Sequence, residues 1–217
     1  MEQIKTYLKK SKIIRRLGIQ LRITRDYFFD TKDTPLYRKE PWIVKGAIDW
    51  LSTYLNRDMV VFEWGSGGST LFTAKRVKKI ISIEHNYEWF LKTQIHLWLS
   101  GISNCQYKLI EPEDDTLNNV FTLKYKSSSE RHQHQNFEKY CKAIDSFPDN
   151  YFDLIFIDGR ARDLCIEHAK NKIKPGGYLL LDNSERERYQ SAINKLSDFK
   201  RTDFVSLGST TSIFQKK

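Results

Sequence analysis

Five acidic side chains, Glu63, Glu84, Glu111, Asp158 and Asp182, each stand just after a short apolar run. A carboxylate accepts hydrogen bonds from hydroxyls and amines, attracts a positive centre and repels phosphate. Ligands of open α/β sheets bind beyond the carboxyl ends of the strands. If the five runs are parallel strands, their acids line that rim, and the ligand they suit is cationic and rich in hydroxyls.

The first acid leads into a glycine loop, Glu63-Trp64-Gly65-Ser66-Gly67-Gly68-Ser69-Thr70. Gly65 and Gly67 let backbone approach a ligand with no Cβ in the way, and Ser69 or Thr70 can cap a following helix. Such a loop alone serves several chemistries. Glu63 discriminates between them, because a dinucleotide would bring its pyrophosphate against this carboxylate, whereas an ammonium or sulfonium group would be drawn to it. Glu84, at the end of the next run, is placed to accept both hydroxyls of a ribose; its alternative is a solvated strand end.

The elements that must position these residues follow from periodicity. Apolar runs at Met59–Phe62, Ile80–Ile83, Tyr107–Ile110, Leu154–Ile157 and Tyr178–Leu181 alternate with helical stretches at Thr70–Val77, Glu88–Leu99, Phe137–Phe147, Ala161–Ile173 and Arg186–Leu196. Continuous apolar strands separated by helices predict a doubly wound, Rossmann-like α/β fold, mostly parallel, with helices on both faces. Asp203–Leu207 and Thr211–Phe214, joined through Gly208-Ser209, predict a C-terminal antiparallel hairpin. A helix over Trp42–Leu55 follows Pro41, and the third connection carries an insertion at about 112–150. The expected organisation is a helical arm and linker over 1–40 and one domain over 41–217.

The ordered motifs resemble those of class I S-adenosylmethionine-dependent methyltransferases over about residues 42–217. The glycine loop resembles their first motif, Ile83-Glu84-His85 their second-strand acid, and Phe152-Asp153-Leu154-Ile155-Phe156-Ile157-Asp158-Gly159 their fourth strand. Lys174-Pro175-Gly176-Gly177 resembles the turn into their fifth strand, and the terminal hairpin agrees with their last antiparallel strand. The resemblance implies that Glu63, Gly65, Ser66, Gly67, Gly68 and Ser69 hold the methionine portion of S-adenosylmethionine, that Glu84 with His85 holds the ribose, and that a residue among Glu111 to Asp115 approaches the adenine. Asp158 falls where cofactor and acceptor meet. An NAD-dependent oxidoreductase and a non-catalytic methyltransferase-like scaffold are the alternatives.

Methyl transfer is an in-line displacement, so the protein aligns an acceptor and deprotonates it. Asp158, Asp182 and Asn183 resemble the Mg²⁺ or Ca²⁺ ligands of metal-dependent O-methyltransferases, although Ala161 stands where those enzymes place a lysine base. The alternative for Asn183, with Ser184, is a helix cap. Arg160 and Arg162 are read either as a clamp for an anionic acceptor, such as a uronate or phosphosugar, or as surface ion pairs. Asp158 and Arg160 are the expected catalytic residues. His132 and His134 in the insertion are either a base or solvated loop residues. The expected acceptor is a small molecule or a glycan.

Charge is unevenly spread. Of a net +9, residues 1–25 carry +7, from eight basic side chains and Glu2. The near-neutral remainder argues against a nucleic-acid track. The arm's apolar residues Ile4, Tyr7, Leu8, Ile14, Leu17 and Leu21 form a helical stripe. That stripe either covers the domain's own core or rests on an anionic membrane surface. Three cysteines without metal spacing, and no apolar run of bilayer length, fit a cytoplasmic protein, with peripheral membrane contact through residues 1–25 as the further option.

Overall fold

The computed structural model describes residues 12–23, 34–114, 125 and 135–217. After helix α1 (12–23) come α2 (Pro35–Arg38) and α3 (Lys45–Tyr54). The domain then alternates β1 (Val60–Trp64), α4 (Gly68–Ala74), β2 (Lys79–Glu84), α5 (Tyr87–Leu99) and β3 (Cys105–Leu109). The short strands β4 (Glu113–Asp114) and β5 (Gln135–Asn136) pair antiparallel across the insertion. There follow α6 (Glu138–Cys141), β6 (Phe152–Ile157), α7 (Arg162–Ala169), β7 (Ile173–Asp182), α8 (Gln190–Ile193), β8 (Lys200–Ser206) and β9 (Ser209–Gln215).

Seven strands form one sheet in the order β3-β2-β1-β6-β7-β9-β8. The first five are parallel, and β9 inserts antiparallel between β7 and β8. Alternate residues of each strand feed opposite faces, as the pleat requires. Ile155 and Ile157 of β6 join Phe62, Trp64 and Tyr140 on one face, while Leu154 and Phe156 join Val61, Leu51 and Phe72 on the other. With both faces covered, the strands need continuous apolar sequence.

The expected elements appear with shifted bounds. β1 continues through Glu63 and Trp64, so Glu63 is a strand residue, and Glu111 lies two residues beyond β3. β7 begins at Ile173 and takes Lys174-Pro175-Gly176-Gly177 into the strand, with a register break against Phe152 and Leu154 that accommodates the proline. The helices expected at Phe137–Phe147 and Arg186–Leu196 are short α turns continued by 3₁₀ turns. The hairpin turn is Leu207-Gly208, both at positive φ, rather than Gly208-Ser209.

Residues 34–40, expected as linker, pack into the domain. Leu36 of α2 is buried beside Leu71 and Leu97. Gly68 is bare because the Glu40 and Pro35 carbonyls would lie 2.0 and 2.4 Å from any Cβ there. Of the arm's stripe, Ile4, Tyr7 and Leu8 lie outside the described residues; within α1, Ile14, Leu17 and Leu21, with Ile13, are exposed rather than covering the core, and Ile23 is buried. His132 and His134 lie outside the described residues.

Candidate functional site

The acids do gather at the carboxyl end of the sheet, but not as one exposed row. Glu63 is buried beneath the loop. Its carboxylate accepts from the Ser69, Thr70 and Ser82 hydroxyls at 2.5, 2.6 and 2.6 Å. Ser82 reaches it because the register pairs Glu63 with Ser82. Burial pushes the carboxyl up to about 7, against the pull of those three donors. Glu63 therefore supports the loop from below. Ser69 and Thr70, expected as caps, both donate to Glu63, and Thr70 also caps α4, its Oγ1 accepting from the N–H of the N-cap residue Gly67 at 2.9 Å.

Glu84 faces the cavity above the loop. Its Oε2 accepts from Ser66 N–H and Ser66 Oγ, both at 3.0 Å, and its Oε1 from the backbone N–H of His85 and Asn86 at 2.8 and 2.7 Å. His85 Nδ1 lies 2.9 Å from Oε1. Burial opposes ionisation, but these donors prevail and hold the carboxyl below the ordinary glutamate range. Ser66 Oγ is also 2.6 Å from Tyr107 Oη, and Trp89 Nε1 donates to the Ser66 carbonyl. Gly65 adopts φ +91° and lies so close to the next strand end that a Cβ would sit 2.6 Å from Gly159 N. The N–H groups of Gly65, Ser66 and Gly67 are all committed internally, to Ile83 O, Glu84 and Thr70.

At the ends of β6 and β7, Arg162 stands between two carboxylates. It reaches Asp158 Oδ1 at 2.7 Å and Asp182 Oδ2 at 3.3 Å, and it donates to the Asp158, Gly159 and Asp182 carbonyls. Arg162 is thus an internal brace rather than an acceptor clamp. The expected metal ligands do not fit a metal: the guanidinium already supplies the cation between Asp158 and Asp182, Asp182 Oδ1 accepts from Thr211, and the Asn183 amide donates to Ser209 Oγ. Among the described residues no three His, Cys, Asp or Glu side chains cluster to hold a metal ion. Nor do Asn183 and Ser184 cap a helix, since Ser184 is buried against Ser212 and Thr210. Ala161 is buried at φ +49°, so no base projects from there. Asp158 keeps 23% of its side chain exposed. Burial raises its pKa, and the Asp182 carboxylate adds to the rise against the pull of Arg162.

A cavity of about 910 Å³ joins these parts, lined by the loop, Glu84, His85, Asp158 and Arg160. Its size suits a small-molecule site. Arg160 makes no ion pair among the described residues. Sequence reasoning missed the rim. Trp42, 79% exposed, and Leu207, fully exposed at φ +46°, both border the mouth. Trp42 was expected at the head of a helix and Leu207 at the end of a strand, whereas α3 starts at Lys45 and Leu207 lies in the hairpin turn. A second cavity of about 660 Å³ opens near the starts of β2 and β3, and no acidic side chain lines it.

The strand order decides the fold, because a parallel 3-2-1 half meets a second half closed by an inserted antiparallel strand. The chain has the class I methyltransferase fold. Solved structures agree: a methyltransferase-like protein from Silicibacter pomeroyi is 19% identical, with 82% of this chain and 89% of that chain covered at a TM-score of 0.55. SMU.1697c from Streptococcus mutans, a candidate methyltransferase solved with SAH, is 14% identical, with 78% and 94% covered at 0.54. An rRNA methylase from Streptococcus thermophilus is 15% identical, with 77% and 92% covered at 0.54. No family model matches the chain, and no curated protein matches it. Within the methyltransferase fold, Glu63 and Glu84 occupy the ends of the first two strands and Asp158 the end of the fourth.

Proposed function

We propose that the chain transfers a methyl group from S-adenosylmethionine to an oxygen of a small acceptor, a carbohydrate or similar hydroxyl-bearing metabolite. The observation that carries this reading is the pairing of a buried, ionised Glu84 with a glycine loop in which the Gly65, Ser66 and Gly67 N–H groups are already committed. A pyrophosphate needs several free loop N–H groups and no adjacent carboxylate, whereas three of this loop's N–H groups are taken and Glu84 lies beside them. A ribose and a cationic sulfonium are suited to it. This argument sets the reading above an NAD-dependent oxidoreductase.

When bound, the cofactor supplies an electrophilic methyl; transfer forms a C–O bond, breaks the C–S bond and releases the acceptor's proton. Glu84 receives the ribose hydroxyls, and the Ser66 hydroxyl that now occupies Oε2 turns to Tyr107 Oη. Asp158, with a raised pKa and a face on the cavity, takes the acceptor proton. Arg162 holds Asp158 in place. Arg160 offers a fork to an anionic substituent on the acceptor, and Trp42 a flat apolar face for its ring. The net +2 outside residues 1–25 supports a small acceptor over nucleic acid. Calorimetry with S-adenosylhomocysteine and with NADH tests the reading. Binding of the first and not the second is expected; NADH binding without S-adenosylhomocysteine binding reverses the choice, and neither binding leaves the scaffold alternative.

A further inference from the structure

Helix α1 carries two faces of opposite use. Lys12 and Arg16 pair with Glu111, Arg22 pairs with Glu88, and Arg16 lies 4.3 Å over the Tyr87 ring. These contacts place the helix beside the start of α5 and the segment after β3, with its basic face toward the domain. At 100° per residue, Ile13, Ile14, Leu17 and Leu21 fall on the opposite side. Each is 51–75% exposed. Four aliphatic side chains along three turns are a contiguous stripe rather than scattered surface residues. The stripe belongs to residues 1–25, which carry a net +7.

We propose that this stripe docks the protein on an anionic lipid surface, with the aliphatic side chains at the headgroup–acyl boundary and the basic charge of residues 1–25 attracted to lipid phosphates. The charge decides the occupant: set against Glu88 and Glu111 the segment still keeps 7 − 2 = +5, so a second copy would bring like charge against it, whereas an anionic bilayer neutralises it. Docking through α1 holds the domain at the membrane by the helix that abuts Glu88 and Glu111. The inference is independent of methyl transfer.

The test is sedimentation of the full chain with vesicles of phosphatidylcholine alone and with about 30% phosphatidylglycerol. The expected result is pelleting with the anionic vesicles only. The Leu17→Glu/Leu21→Glu double variant, altered at exposed positions, should bind them at least about tenfold more weakly. Its circular dichroism and S-adenosylhomocysteine binding should stay unchanged. Absence of binding to anionic vesicles, or equal binding by the double variant, overturns the proposal. So does light scattering that shows a dimer abolished by the same two changes without any vesicle binding.

Discussion

Replacing Glu63 by glutamine should remove a loss of stability that the wild type suffers as pH rises. Burial pushes the wild-type carboxyl up to about 7 in the fold, against 4.5 for an ordinary glutamate. Between those values the folded state binds more protons than the unfolded state, so stability falls as pH rises. At 1.36 kcal/mol per unit the total is about 3 kcal/mol, of which about 2–3 kcal/mol is lost between pH 5 and pH 8. Glutamine cannot ionise, yet it keeps the shape and offers an oxygen and an amide to the Ser69, Thr70 and Ser82 hydroxyls, which can turn to suit. Urea unfolding of both proteins at pH 5, 6, 7 and 8 isolates the effect, because every other titrating group cancels in the difference. The variant should lie within about 1 kcal/mol of wild type at pH 5 and exceed it by about 2–3 kcal/mol at pH 8. Parallel profiles would refute the argument that burial outweighs the three hydroxyl donors, and a wild type that gains on the variant with rising pH would show the opposite shift.

Gly65→Ala should lower stability by about 3 kcal/mol or more and abolish S-adenosylhomocysteine binding, since φ +91° and a Cβ at 2.6 Å from Gly159 N leave backbone nowhere to yield; thermal melts and calorimetry read both. Arg162→Met should cost about 3–5 kcal/mol near neutral pH by leaving Asp158 and Asp182 without their cation. That loss should shrink at pH 5 as Asp158, whose carboxyl burial pushes up to about 7, protonates, which denaturant unfolding at the two pH values will show. Millimolar Mg²⁺ or Ca²⁺ should leave the melting temperature of EDTA-washed protein unchanged, because Arg162 already occupies the space between the two carboxylates; a clear upward shift would restore the metal reading.

The fold could be read from the sequence because parallel strands buried on both faces must be largely apolar, and the runs from Val60 to Leu181 are, apart from Ser82, which donates to Glu63, and Lys108 in the edge strand β3. Bounds were less readable. Glu63 and Trp64 look like a loop by polarity, yet Glu63 stays in β1 because three hydroxyls wait for it. Arg162 was four residues from Asp158, the spacing of a helical ion pair, but its reach to Asp182 depends on β6 and β7 being neighbours, a long-range fact. Composition showed that the arm was amphipathic and basic. It could not show which face would turn to the domain, because Lys12, Arg16 and Arg22 find their partners on distant elements.

The ribose contact of Glu84 is the most direct point of attack. Affinity should be measured by calorimetry for S-adenosylhomocysteine and for its 2′,3′-dideoxy analogue, in wild type and in Glu84→Ala and Glu84→Gln. Wild type should prefer the natural ligand by about 100-fold or more, as expected for two hydrogen bonds to a charged group, and the alanine variant should scarcely distinguish the two. Equal affinity of wild type for both ligands would contradict the account.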